Sequence, residues 1–301
     1  MPSTWEPWPA LPLQEWNNTY RTLHMWLQIV GKIRMTLTPR QNHWWNAALY
    51  LTPVGLTTSA IPDSNGAFEI EFDFIQHAVR IRTSWAGTRS LPLAPMSVAQ
   101  FYRKFMAELR AAGIAVQINP RPQEIPQPVP FDLDDAPGAY DAAYANRCWR
   151  ILLSTHTVLG EFQARFLGKA SPVHFFWGSF DLAYTRFCGR TAPPRKGVIS
   201  SEAYSHECSS VGWWPGGGAQ EAAFYAYTAP APPTFATRQL RPAEAYFDTK
   251  LGEFLLPYDA VRQSASPAKA LLDFAQSAYE AGVNLARWDR ATLEPRAQSK
   301  L

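Results

Sequence analysis

The apolar and aromatic run from Val173 to Arg186 places the strongest constraint on the fold. A continuous run of bulky and aromatic side chains favours a β-strand over a helix. Side chains on a strand point alternately to its two faces, and neither face of this segment is mainly polar. We therefore predict a strand that is covered on both sides and central in its sheet, with Asp181 as a buried carboxylate that needs hydrogen-bonding partners.

The polar side chains of this predicted strand divide between its two faces. Asp181 shares one face with Trp177, whereas His174 shares the other face with Arg186. Burying polar groups in an apolar surrounding is costly unless they are paired. Their presence within a strand that is apolar on both faces therefore indicates a functional site.

A second predicted strand, residues 202–210, carries further polar groups. Tyr204 and His206 fall on one face, and Glu207 falls on the other. Because His206 and Glu207 are adjacent, a regular strand cannot aim both at one ligand, and a β-bulge would be needed to do so.

Periodicity and turn residues predict the remaining elements. Helices are expected at residues 13–37, 98–110, 140–167, 242–256 and 267–288. Strands are expected at residues 43–52, 68–74, 77–83, 114–118 and 221–230. This pattern predicts an α+β protein with a large antiparallel sheet and helices mainly on one side.

A proline-rich segment, residues 119–138, divides the chain into two portions. We predict an N-terminal α+β unit at residues 1–118 and a C-terminal α+β unit at residues 139–301, which carries the site. The two units are free to pack as one domain. Both portions have a long helix, then strands, then a helix, so an internal repeat about a pseudo-two-fold axis is a hypothesis.

Charge and cysteine content bound the class of protein. The net charge is +3, from 28 basic and 25 acidic residues, which is too balanced to indicate a nucleic-acid partner. No apolar stretch approaches the ~20 residues of a membrane span, and the first residues lack the pattern of a signal peptide. Three cysteines without CxxC spacing are typical of a reducing compartment. We predict a cytoplasmic protein.

The candidate site residues come from the C-terminal portion. Acid–base chemistry needs a group with a pKa near neutrality and a partner that orients it, and aromatic side chains can line a cavity for a flat ligand. The catalytic candidates are His174, His206, Asp181 and Tyr204, and the substrate-binding candidates are Trp177, Arg186, Trp213 and Trp214. The metal-ligand candidates are His156, His174, His206 and Glu207, although their spacing matches no known metal motif.

Two functions remain open from the residues alone. The leading hypothesis is an enzyme that acts on a small molecule in a partly buried aromatic pocket. The alternative is a non-catalytic ligand-binding or protein-interaction scaffold, in which the same polar groups are structural. The sequence defines neither a cofactor nor an oligomeric state.

Four segments of the chain resemble a known bacterial family. They read LHMWLQIVGKIR, NHWWNAALYLT, GKASPVHFFWGSFDLAYTRFCGR and EAYSHECSSVGWWPG. The sequence is similar to the bacterial domain-of-unknown-function family number 5996 from about Trp16 to Leu293. The resemblance implies a bacterial cytoplasmic protein and transfers no activity, cofactor or site. It also implies that other members of the family have serine where this chain has Cys188, and often a residue other than cysteine at the position of Cys208. Both differences argue against a catalytic thiol.

Overall fold

The helices follow the periodic apolar segments of the sequence. The computed structural model describes residues 5–295. Its helices are α1 (Leu13–Leu37), α2 (Val98–Ala111), α3 (Ala142–Gln163), α4 (Val198–Ala203), α5 (Tyr258–Arg262), α6 (Pro267–Leu285) and α7 (Arg290–Leu293). The predictions for α1, α2, α3 and α6 are confirmed to within a few residues. Within the described residues, no helix combines the length and apolar character needed to cross a membrane.

The strands form two antiparallel sheets of six strands each, so the predicted α+β class is confirmed. The N-terminal sheet contains β1 (Tyr50–Leu51), β2 (Gly55–Thr57), β3 (Ile61–Asp63), β4 (Gly66–Asp73), β5 (Ala78–Thr83) and β6 (Gly87–Pro92). The C-terminal sheet contains β7 (His174–Phe176), β8 (Asp181–Thr191), β9 (His206–Trp214), β10 (Ala223–Ala229), β11 (Tyr246–Asp248) and β12 (Glu253–Pro257). Its order is β11-β12-β10-β9-β8-β7. A single antiparallel bridge between Leu49 and Phe175 links the two sheets.

Side chains alternate along β4 of the N-terminal sheet. Phe68, Ile70 and Phe72 are buried, and Glu71 lies directly opposite Arg80 on β5. Glu71 is nevertheless only 4% exposed. This carboxylate is compensated by an ion pair with Arg82 and a hydrogen bond from Thr52, as a buried charge requires.

Helices α3 and α6 cover one face of the C-terminal sheet. The Arg186 guanidinium on β8 lies 3.5 Å from the ring centroid of Phe162 on α3, and Thr228 on β10 faces Gly282 on α6. Because side chains alternate along a strand, residues of opposite parity on β8 and β10 point away from these helices. That second face carries the cavity described below.

The predicted long strand at residues 173–186 is wrong, because a hairpin turn at residues 177–180 divides it into β7 and β8. Phe180 adopts a left-handed backbone with φ of 57° in this turn. The turn changes the parity of the strand, so Phe176 pairs with Asp181 and His174 pairs with Ala183. His174 and Asp181 therefore share a face, contrary to the alternation expected for one continuous strand.

Other local predictions fail where turns override the apolar pattern. The predicted helix at residues 242–256 is the hairpin of β11 and β12. Its turn is closed by the Asp248 carboxylate, which accepts from the backbone N–H groups of Lys250 and Leu251, and by the left-handed Gly252. The predicted strand at residues 43–52 begins instead with a 3-10 turn, Asn42–Ala47.

The proline-rich segment, residues 119–138, contains turns but neither helix nor strand. Gln28 on α1 holds it in place: its Nε2 donates to the Gln123 carbonyl at 2.9 Å, and its Oε1 accepts from the Gln123 N–H at 2.7 Å. The division into two units and the internal repeat remain predictions, because the shared order of elements does not by itself show a duplication.

Candidate functional site

The second face of the C-terminal sheet forms the floor of a cavity of about 830 Å³. The floor is contributed by side chains of β8, β9, β10 and β12: Asp181, Ala183, Thr185, Ser210, Trp214, Ala223, Tyr225, Tyr227, Glu253 and Leu255. Side chains from turns and from α4 form the walls: His43, Trp44, Glu124, Trp177, Arg195, Ile199 and Tyr204. Such a volume falls in the range of small-molecule sites.

Asp181 is the most buried ionisable group of the floor, and both of its oxygens are held. The Ser179 hydroxyl donates to Oδ1, and the Tyr225 hydroxyl donates to Oδ2. Burial raises the pKa of Asp181, and the two hydrogen bonds oppose that rise. Asp181 therefore keeps a proton up to a higher pH than a solvated aspartate does.

Gly212 allows the hydrogen bond between Tyr225 and Asp181. The residues Ala183, Gly212 and Tyr225 lie opposite one another on β8, β9 and β10. The Tyr225 ring lies across β9 at Gly212. A methyl group at Gly212 would overlap the end of that ring. The missing side chain thus lets a tyrosine of β10 reach a carboxylate of β8.

A second group of hydroxyls continues along the floor. The Tyr227 and Tyr204 hydroxyls are 3.0 Å apart, and the Thr185 and Ser210 hydroxyls are 2.9 Å apart. The Arg195 guanidinium lies 3.6 Å from the ring centroid of Tyr204. This part of the cavity therefore combines hydrogen-bonding hydroxyls with the Arg195 guanidinium.

Two further carboxylates, Glu124 and Glu253, also line the cavity. Within the described chain, neither side chain has a hydrogen-bonding or ion-pair partner. Desolvation and then the charge of Asp181 raise the pKa of Glu124. Desolvation, with the charges of Asp181 and Asp248, raises the pKa of Glu253 to about 7. Glu253 is therefore a carboxyl group that can exchange protons near neutral pH.

Helix α1 positions the turn that precedes Asp181. The His24 Nε2 donates to the carbonyl oxygens of Trp177 and Gly178, each at 2.9 Å. Burial lowers the pKa of His24 to about 4, so this histidine is neutral at physiological pH. Together with Gln28, which holds residue 123, His24 ties both the turn and the Glu124 segment to one helix.

Left-handed backbone conformations cluster around the cavity. His43, Trp44 and Glu124 have φ values of 57°, 60° and 56° and line the cavity, and Phe180 immediately precedes Asp181. Such conformations cost about 1–3 kcal/mol each and persist where surrounding contacts hold them, often at functional sites. They mark this region as one whose side-chain directions are fixed by the fold.

Comparison with known proteins gives the family. Residues 8–295 match the family described as "Family of unknown function (DUF5996)". The chain belongs to DUF5996. Neither the curated proteins nor the solved structures provide a match. The family resemblance inferred from the sequence is confirmed, and no activity comes with it.

The structure of this DUF5996 protein brings together four of the residues singled out from its sequence. Asp181, Tyr204, Trp177 and Trp214 all line the cavity. Tyr204 does so from the end of α4 rather than from a strand, because β9 begins only at His206. The Trp177 Nε1 donates to the Ala47 carbonyl at 2.7 Å, which fixes the ring as part of the wall.

The two candidate catalytic histidines do not line the cavity. His174 is buried among the rings of Trp45, Tyr50 and Phe176, and burial lowers its pKa to about 4. His206 lies at the start of β9, with its ring centroid 5.8 Å from that of His43. Of these three histidines, His43 is the one that reaches the cavity.

The remaining candidates of this DUF5996 protein lie elsewhere. Arg186 and Trp213 are buried on the face of the sheet that packs on the helices, where the Arg186 guanidinium donates to the Phe162 carbonyl. Glu207 accepts from Arg190 and from the Trp288 indole, and His156 lies on α3. Within residues 5–295, no three His, Cys, Asp or Glu side chains are grouped so that they could hold a metal ion.

Sequence reasoning missed several residues of the cavity, among them Glu124, Tyr225, Tyr227 and Glu253. Tyr225 and Tyr227 alternate within the correctly predicted strand β10, so the sequence predicts that they share a face. It does not predict that Tyr225 reaches Asp181 two strands away. Glu253 fell within the wrongly predicted helix, and Glu124 fell within the proline-rich segment. No sequence pattern distinguishes these two glutamates from ordinary solvated ones.

Proposed function

We propose that this DUF5996 protein is an enzyme that binds a small molecule in the cavity and transfers a proton to or from it. The observation that carries the proposal is the Asp181 carboxylate, which is buried at the floor of an open cavity and held by Ser179 and Tyr225. Buried ionisable groups with specific partners in a cleft are typical of functional sites.

Glu253 is the group proposed to transfer the proton. A carboxyl with a pKa of about 7 is populated in both protonation states at neutral pH, which suits general acid–base catalysis. Tyr225 donates its only proton to Asp181, so its oxygen is left to accept a hydrogen bond from the ligand. Asp181 and Tyr225 therefore orient the ligand, and Glu253 exchanges the proton.

The aromatic walls are proposed to bind the apolar part of the ligand. Trp44, Trp177 and Trp214 line the cavity together with Phe176, and flat side chains of this kind bury large apolar area with little loss of conformational freedom. Tyr204 and Arg195 would contact the other end of the ligand. The proposal assigns no ligand contact to His174, His206, Arg186 or Trp213.

A non-catalytic binding protein is the second candidate. It is favoured by the fact that both Asp181 oxygens and the Tyr204 and Tyr227 hydroxyls already have protein partners, as structural polar groups do. In that case Glu253 would contribute to binding alone.

The test is a thermal-shift screen of metabolites at pH 7.5, followed by NMR detection of product for each compound that stabilises the protein. Asp181→Asn and Tyr225→Phe are expected to weaken binding of each hit at least tenfold. Glu207→Gln is the matched control, because Glu207 lies outside the cavity, and it should bind like the wild type. Product formation supports the enzyme, whereas binding without turnover supports the second candidate. Equal binding by wild type and Asp181→Asn would refute the site.

A further inference from the structure

The charged groups that line the cavity are mainly acidic. Glu124, Asp181 and Glu253 line it, against the guanidinium of Arg195, and the charge of Asp181 contributes to the raised pKa of both glutamates. Carboxylates that raise one another's pKa repel one another when ionised. The cavity is therefore electrostatically complementary to a positive charge.

The nearby cationic side chains do not neutralise these carboxylates. Arg195 stacks on Tyr204, and the Lys32 Nζ lies 5.9 Å from the Trp177 ring centroid. Within the described chain, neither forms an ion pair with Glu124, Asp181 or Glu253. A cation supplied by a ligand would therefore meet carboxylates that have no competing partner.

The walls beside these carboxylates suit an organic cation. Trp177, Trp214 and Tyr225 line the same cavity, and the faces of such rings attract ammonium groups. The floor between them includes Ala183, Ala223 and Leu255, which offer apolar contact and no ligand atoms. The carboxylates are not grouped for metal coordination, and about 830 Å³ far exceeds the space that a single ion occupies.

We infer that the ligand of this cavity is an organic amine: a protonated amino group that pairs with Glu253, attached to an apolar body that packs on Trp177 and Trp214. This inference rests on the proposed function, because it names the class of molecule that the pocket takes. An ammonium group beside Glu253 would form charge-assisted hydrogen bonds and would favour the ionised form of that carboxylate.

Binding of an amine should therefore release protons. The charged groups that act on Glu253 are Asp181 and Asp248, both of which favour its protonated form. An ammonium group placed beside Glu253 opposes them and lowers its pKa. At pH 6.5, where the free protein holds much of Glu253 protonated, complex formation is expected to release up to one proton.

The experiment uses matched probes that differ in charge and hardly in shape. 2-Phenylethylamine is compared with 3-phenylpropanoate, and tryptamine with indole-3-propanoate, by calorimetry on the full chain at pH 7.5. The amines are expected to bind at least tenfold more tightly than their carboxylate counterparts. Equal or tighter binding of the carboxylates overturns the inference.

Proton release and variants separate recognition of the amine from simple apolar binding. Titration of tryptamine at pH 6.5 in buffers of different ionisation enthalpy measures the protons released. Glu253→Gln is expected to abolish the release and to weaken amine binding about tenfold, with its thermal midpoint retained. Glu161→Gln, at an exposed carboxylate on α3, should release protons as the wild type does. Unchanged release in Glu253→Gln overturns the inference.

The two levels of the proposal fail differently. If none of the four probes binds, the amine inference falls, and the proposed function is decided by the metabolite screen and the Asp181→Asn variant. If probes bind and Asp181→Asn weakens them, but carboxylates are preferred, the pocket stands and only the amine inference is rejected.

Discussion

Glu253 shows how one residue couples the stability of this protein to pH. Its folded-state pKa of about 7 lies above the ordinary value for glutamate, so the folded chain binds more protons than the unfolded chain between about pH 4.5 and 7. Stability from this group is therefore fully present at low pH and is lost as the pH rises through 7. Above this pH the ionised carboxylate is desolvated and is repelled by the charges of Asp181 and Asp248, which lowers the stability of the folded protein.

Glu253→Gln should consequently stabilise the protein at pH 8 by about 1 kcal/mol. The difference from wild type should disappear at pH 4, below the unfolded-state pKa, where Glu253 is protonated in both the folded and the unfolded chain. Urea unfolding at the two pH values measures this difference, with Glu161→Gln as a control that should show no such pH-dependent gain. Destabilisation of Glu253→Gln at pH 8 would contradict the assignment, since it would mean that the ionised carboxylate is stabilised.

Single residues also mark the limit of what the sequence predicts about the site. Asp181 was expected to be buried and to need partners, because a carboxylate in an apolar strand has few alternatives. Its partner Tyr225 was not predicted, because the pair depends on strand register and on Gly212 between them. The sequence therefore predicts the burial of Asp181 but not the residues that surround it.

At the scale of elements, the turn at residues 177–180 decides the geometry of the site. Helix boundaries were predicted well because caps and periodicity are local signals, as at α1 and α2. Which side chains of β7 and β8 share a face depends on a turn in which Phe180 is left-handed. The residue pattern does not predict this conformation. Arg186 and His174 were therefore assigned to one face although the structure separates them.

Two helical glycines offer a test of how α1 meets this turn. A methyl group at Gly31 on α1 would overlap the Trp177 ring, whereas a methyl group at Gly160 on α3 would meet no atom within 4 Å. Gly160→Ala should stabilise the protein by about 0.5–1 kcal/mol through helix propensity. Gly31→Ala should destabilise it by about 1–3 kcal/mol through overpacking.

Chemical denaturation of both variants measures the difference, and Trp fluorescence reports the displaced Trp177 ring. A stabilised Gly31→Ala protein would show that α1 does not pack closely against the turn.

Gly212→Ala tests the link between β9 and the cavity. The added methyl group would overlap both the end of the Tyr225 ring and the backbone carbonyl oxygen of Leu182 on β8. It would therefore break the hydrogen bond to Asp181 and also strain the pairing of β8 with β9. We expect at least a tenfold loss of ligand affinity, no smaller than that of Tyr225→Phe. In the double variant the two losses should add only in part, because both remove the contact between Tyr225 and Asp181. Additive losses measured by calorimetry would argue that Gly212 acts separately from Tyr225.

At the scale of the whole molecule, the two portions share one hydrophobic core. Trp16 on α1 contacts Phe180 of the C-terminal portion, and Leu49 pairs with Phe175 across the two sheets. The core cluster extends through residues of both portions. The sequence suggested a division at residues 119–138 because proline is dense there, but composition does not reveal contacts between distant segments.

Unfolding should accordingly be a single cooperative transition. Far-UV and near-UV circular dichroism are expected to give the same midpoint in guanidinium chloride, because α1 cannot leave the C-terminal sheet without exposing shared core. Native-state hydrogen exchange should show similar protection in α1 and β8. Two separated transitions, or early exchange of all of α1, would indicate independent units.

The wall residues Trp44 and Glu124 and the floor residue Leu255 come from widely separated parts of the chain. A ribosome that adds about 5–20 residues per second needs roughly 10–40 s to pass from the first of these to the last. During synthesis, the nascent polypeptide therefore has no completed binding site, and its aromatic floor strands emerge before the final strand of that floor. Until β12 has been synthesised, the early strands lack their final partner and expose apolar surface, so the cell has to prevent their association with other chains.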